Sequence, residues 1–134
     1  MTIQIDRTIV NRILAHAQQT PEQEVCGLVG AVDGVPHQVY PVSNVAPEAD
    51  HLFAMDPHQQ IDAMRRMRDN GEQLFAIYHS HPHAPATPSA TDLQQAAYPE
   101  ALYLIISLNT KGVLELQGFR LADNAIQSIE LEMI

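Results

Sequence analysis

A chain of 134 residues, 46% hydrophobic and 17% charged, is long and apolar enough to bury one core without disulfides, and too apolar to remain disordered. Its net charge of -9 and its single basic cluster, Arg65, Arg66 and Arg68, argue against nucleic acid and anionic membrane as partners, and the longest strongly apolar run, Ala101 to Leu108, is far short of a membrane span. Cys26 is the only cysteine, which excludes an internal disulfide and a thiolate zinc site; with no leader-like apolar stretch near the N-terminus, the expectation is one soluble cytoplasmic domain over 1–134.

Residues 7–19 place Ile9, Val10, Ile13, Leu14 and Ala17 on one helical face, with Asp6 as N-cap and Pro21 beyond the end. His16 lies in this helix and reads as a surface residue. From Glu24 to Val32 the chain is apolar and β-branched, and Asp33-Gly34 reads as a tight hairpin turn into a second strand, Val35 to Val42. Leu52 to Met55 suggests a short strand. Asp56-Pro57 then suits the cap and first position of a helix over about 57–69, which Asn70-Gly71 ends.

Leu74 to Tyr78 reads as a buried strand that leads directly into His79-Ser80-His81-Pro82. A proline-containing loop over 83–90 follows, then a short helix over about 90–97 opened by Ser89, and strands at about 102–108, 112–120 and 125–132. This order suits one mixed sheet flanked by helices.

Side chains two apart on a strand share a face, so His79 and His81 stand with Cα atoms about 6–7 Å apart and can reach one metal ion. Neutral imidazole suits zinc, and a catalytic zinc takes three protein ligands with one position left for water. Asp92 can supply the missing carboxylate if the loop folds back. The competing reading is a plain helix start, since Ser89-Ala-Thr-Asp92 has the form of a capping box.

Taken together, Glu24-Val-Cys-Gly-Leu-Val-Gly30, then His79-Ser-His-Pro, six residues, Ser89, two residues and Asp92 resemble the signature of the JAMM family, also called MPN-plus metalloproteases. The likeness extends to Phe53-Ala-Met-Asp-Pro57, Tyr78, Tyr98-Pro99 and the Tyr103 to Leu108 strand. It implies a cytidine-deaminase-like α/β fold, one zinc ion on His79, His81 and Asp92, Glu24 as general base and Ser89 assisting the oxyanion. No matching position departs from the active pattern, which argues against the metal-free scaffold members.

The bland readings fall on other residues. His83 is expected to be an exposed loop residue, Cys26 a buried small hydrophobe, Ser80 a packing residue on the opposite face, and Glu22 an acidic neighbour outside the motif.

Among JAMM proteins the short intervals resemble the small prokaryotic type, which implies cleavage at the Gly-Gly tail of a ubiquitin-like or sulfur-carrier protein of β-grasp fold. The alternatives are a non-catalytic interaction module of the same fold and a DNA-repair-associated relative. Zinc nucleoside deaminases are disfavoured because a single cysteine cannot form their Pro-Cys-x-x-Cys motif.

Overall fold

A computed structural model describes residues 2–134. The described elements are β1 (Thr2–Ile5), α1 (Arg7–Gln19), β2 (Cys26–Val32), β3 (Val35–Val42), α2 (Pro57–Asp69), β4 (Gln73–His81), α3 (Ala90–Gln95), β5 (Leu102–Ser107), β6 (Glu115–Ala122) and β7 (Ala125–Met133). The strands form one mixed sheet in the order β1-β7-β6-β5-β4-β2-β3. Among the described residues, no helix is long and apolar enough to cross a membrane.

Local chemistry accounts for most element ends. The Asp6 carboxylate accepts from Thr8 N and starts α1; Asp56 accepts from His58 N and Gln59 N and starts α2 behind Pro57. The β2–β3 turn places Asp33 and Gly34 at φ 51° and 78°, the left-handed pair that a two-residue hairpin needs. Asp123 and Asn124, at φ 54° and 58°, do the same between β6 and β7.

Two cores sandwich the sheet. One face packs Ile9, Val10, Ile13 and Ala17 of α1 against Tyr78 of β4 and Leu102, Leu104 and Ile106 of β5. The other packs Ala63 and Met67 of α2 against Ile77 of β4 and Tyr103 and Ile105 of β5. Central strands covered on both faces must be apolar throughout, which explains the unbroken run Leu102–Ile106.

Three differences from the sequence reading have physical causes. β1 was not foreseen: four residues pair in parallel with β7 at the far end of the chain, a contact without local signature. The segment Leu52–Met55 forms a single bridge, Asn44 to Met55, rather than a strand, because the Asn44 side chain takes Leu52 O and Ala54 N for itself. His16 is not a plain surface residue; its Nδ1 lies 2.7 Å from Tyr78 Oη, half-buried, and burial lowers its pKa.

That contact joins α1 to β4 one residue before His79. Tyr78 lies directly over Gly27, its partner in the β2–β4 register, and a Cβ built on Gly27 would collide with the Tyr78 ring. Gly27→Ala is therefore expected to destabilise the fold by about 1–3 kcal/mol, the usual cost of forcing a methyl group into a packed core. Urea unfolding checks this; a midpoint equal to the parent's would show that Tyr78 can yield.

Candidate metal centre

β4 carries its alternation to the last residue, so Tyr78 and Ser80 face α1 whereas Ile77, His79 and His81 face the α2 side. Ser80 does more than pack: its Oγ accepts from Val25 N at 2.9 Å and its N donates to Val25 O at 3.0 Å. These bonds fix the residue before β2 against the end of β4. Glu24, next to Val25, is 5% exposed and is thereby held beside the histidines.

The three expected ligands meet. His79 Nε2 and His81 Nε2 are 3.1 Å apart, and Asp92 Oδ2 lies 3.1 Å from the first and 3.2 Å from the second. Their side chains are 1%, 5% and 9% exposed, so the cluster is almost sealed. In a tetrahedral zinc site, arms of about 2.0–2.1 Å put neighbouring donors about 3.3 Å apart. The donor set and its spacing fit that ion with little adjustment.

Two carboxylates compete for the third position. A Glu24 oxygen lies within 4.8 Å of ring nitrogens on both histidines. Asp92 Oδ2 is in hydrogen-bond contact with both, at 3.1 and 3.2 Å. Glu24 Oε1 is buried without a hydrogen-bond partner among the described residues, the condition of an acceptor waiting for a donor.

The capping-box reading of Ser89-x-x-Asp92 is realised, and the same turn brings Asp92 to the histidines. Ser89 Oγ accepts from Asp92 N at 3.0 Å, and Ser89 N donates to Asp92 Oδ2 at 2.9 Å, a complete capping box. The oxygen that receives the Ser89 amide is the same one that faces both imidazoles. The Ser89 hydroxyl, acting there as acceptor, keeps its own proton free to donate.

The electrostatics follow from burial. Burial pushes the Glu24 carboxyl up to about 7, with the neighbouring His81 pulling the other way. Burial would also raise Asp92, but hydrogen bonds to His79 and His81 overcome it and hold this carboxyl well below the usual range. Desolvation lowers His79, whereas at His81 the Asp92 contact and the Pro85 carbonyl outweigh desolvation and raise it. One carboxylate is thus kept ionised and the other is poised near neutrality.

The remaining residues fall where expected. His83 is exposed, 4.0 Å from the equally exposed Glu22, and takes no part in the cluster. Cys26 is buried, its thiol is 3.4 Å from Val42 O, and burial pushes its pKa up to about 12, the setting of a small buried hydrophobe.

Two neighbours of the centre went unassigned in the sequence. The Asn44 amide donates to Glu24 O and Leu52 O, both at 2.9 Å, and accepts from Ala46 N and Ala54 N, both at 3.0 Å. Phe53 stacks on the His79 ring at 4.5 Å between centroids. Phe53 falls within the wider family likeness and Asn44 lies just past a strand, but neither position carries an indication of the role it plays.

Residues 6–120 match the family model described as prokaryotic homologs of the JAB domain. Among curated proteins, the chain is 32% identical over 120 residues to the CysO-cysteine peptidase of Mycobacterium tuberculosis, covering 88% of this chain and 82% of that one. It is 38% identical over 101 residues to the desampylase of Haloferax volcanii, covering 71% of this chain and 73% of that one. Among solved structures, a Desulfitobacterium hafniense protein determined in solution superposes with TM-score 0.85 at 35% identity, over 100% of this chain and 93% of the other.

Proposed function

The chain belongs to the family of prokaryotic homologs of the JAB domain and is a peptidase of the JAMM type, and we propose that His79, His81 and Asp92 hold one zinc ion while Glu24 acts as general base. The observation that carries this reading is the convergence of two imidazole nitrogens and one carboxylate oxygen within 3.2 Å, beside the unpartnered Glu24 Oε1.

Zinc bound there would supply a Lewis acid for the scissile carbonyl and lower the pKa of water at its open position to about 7. The chain's own groups do the rest. The Glu24 carboxylate accepts the proton of the attacking water as its oxygen bonds to the carbonyl carbon. The same carboxyl then passes that proton to the amine nitrogen as the C–N bond breaks. A buried carboxyl beside the histidines can serve both halves of this transfer, since its oxygen accepts the proton and later releases it. The Ser89 hydroxyl, with its proton uncommitted, serves as donor to the developing oxyanion. Pro85 O, 2.8 Å from His81 Nδ1, takes the Nδ1 proton of that ring and leaves the Nε2 lone pair facing the centre.

The substrate class comes from the relatives. One is named a CysO-cysteine peptidase and another a desampylase, and on that likeness the reaction is hydrolysis at the tail of a ubiquitin-like or sulfur-carrier protein. A flexible Gly-Gly end threads into a nearly sealed centre more readily than a folded segment does, and the absence of a second cysteine suits a reducing cytoplasm. An interaction module without catalysis would not require a base, an ionised ligand and two histidines buried together.

We expect purified protein to hold about one zinc per chain, and His81→Ala and Asp92→Ala to lose it; full occupancy in both variants, by metal analysis, would remove the ligand assignment. Glu24→Gln should keep the metal and the fold while turnover falls about 10²–10⁴-fold, with Glu22→Gln near the parent. Comparable turnover in Glu24→Gln and the parent would move the base elsewhere. For the substrate, mass spectrometry of a sulfur carrier extended by one or two residues beyond Gly-Gly should show loss of the extension. An intact carrier alongside cleavage of an unrelated peptide would reject the carrier and retain the peptidase.

A further inference from the structure

The two histidines of the centre are oriented by different means. His81 is anchored through its far ring nitrogen, 2.8 Å from Pro85 O. His79 has no such anchor: its Nδ1 is buried and finds no hydrogen-bond partner among the described residues. Metal-binding imidazoles are ordinarily aimed by a hydrogen bond at the distant nitrogen, and the torsion that turns an imidazole is intrinsically broad. Its plane is left to its Nε2 contacts with His81 and Asp92 and to what touches the ring face.

We propose that Phe53 is the positioning residue for His79, holding its ring by stacking where the hydrogen bond is missing. The inference rests on the zinc reading of the centre. The rings are 4.5 Å apart and inclined by only 23°, a nearly parallel contact across the imidazole face. A small cavity of 30 Å³ adjoins His79, bordered by Phe53, Asp92, Gln95, Ala96 and Tyr103. An imidazole that shares the charge of a bound cation also gains from lying against an aromatic face.

Phe53 sits in a loop, yet its backbone is fixed. Asn44 holds the carbonyl before it, Leu52 O, and the amide after it, Ala54 N, while Val45 N donates to Ala54 O at 2.8 Å. The second amide proton of Asn44 holds Glu24 O, so the stacking ring and the general base share one anchor. A side chain attached in this way can act as a rigid stop.

Zinc affinity measured by chelator competition tests the proposal on the full chain, with the imidazole signals of zinc-loaded protein followed by nitrogen-15 NMR. Phe53→Leu, which keeps an apolar cover but removes the flat ring, should weaken zinc binding about tenfold or more and broaden the His79 signals while those of His81 stay sharp. Phe53→Tyr restores the ring and should restore both. Phe53→Met serves in place of Phe53→Leu if the latter is unstable. Parent-like affinity and one sharp His79 signal in the ringless variant would overturn the proposal and assign the Nδ1 proton to a solvent partner. His79→Ala separates the two levels: if it keeps full zinc, the ligand assignment fails; if it loses zinc while Phe53→Leu binds normally, only the role of Phe53 fails.

Discussion

Taking carboxylates and imidazoles out of water costs several kcal/mol for each charge that finds no partner, and the end of β4 is arranged around that cost. The pair of backbone and side-chain bonds between Ser80 and Val25 brings two separate strands to one point, and everything chemical follows from where they meet. Glu24 enters from the start of β2, the histidines from the end of β4, and Asp92 from the helix that begins the crossover to β5. Asp92 answers the desolvation of both rings with a single oxygen. Beside the centre, Glu24 Oε1 and His79 Nδ1 are left without a hydrogen-bond partner among the described residues, and Glu24 Oε1 is the one a bound ion's water would meet.

The sheet supplies rigidity for this meeting. β4 is flanked by β5 in parallel and β2 in antiparallel register, and it is covered on both faces. A histidine at the end of a strand so enclosed has few ways to move. The loops that complete the centre are tied down in turn: Ser107 Oγ donates to Ala84 O at 2.7 Å, and the Asn44 side chain saturates its four hydrogen bonds between Glu24 and the segment before α2. Irregular backbone near the site is therefore held by polar side chains as well as by apolar contacts such as that of Ala86.

Much of this was legible in the sequence because it is encoded locally. Periodicity and caps define α1 and α2, paired left-handed residues define the β2–β3 hairpin, and the motif from Glu24 to Asp92 marks the four groups that the fold does bring together. The parts that were not legible depend on distant partners. β1 needs β7, His16 needs Tyr78, and Phe53 acquires meaning only when His79 is set beneath it. Ser80 reads as packing along one strand and becomes a hydrogen-bonded tie only when β2 is laid beside β4. The sequence motif could not say whether Ser89 and Asp92 belong to a helix start or to a metal site, since the two uses share the same atoms.

That sharing has a thermodynamic consequence. Helix α3 spans only Ala90–Gln95 and fully buries no residue, with Leu93 alone of its apolar side chains packed against the core, and it owes its start to the box formed by Ser89 and Asp92. In the proposed zinc site, where Asp92 would be a ligand, ion capture and helix order would be linked functions: the free energy by which the ion favours the ordered turn equals that by which the ordered turn favours the ion. Metal removal would then be felt first as fraying of this one turn, with faster amide exchange there than in β4 or β5. The protein would behave as a stiff sheet carrying one hinged ligand, and exchange of the ion would be governed by the opening of that hinge rather than by the sheet.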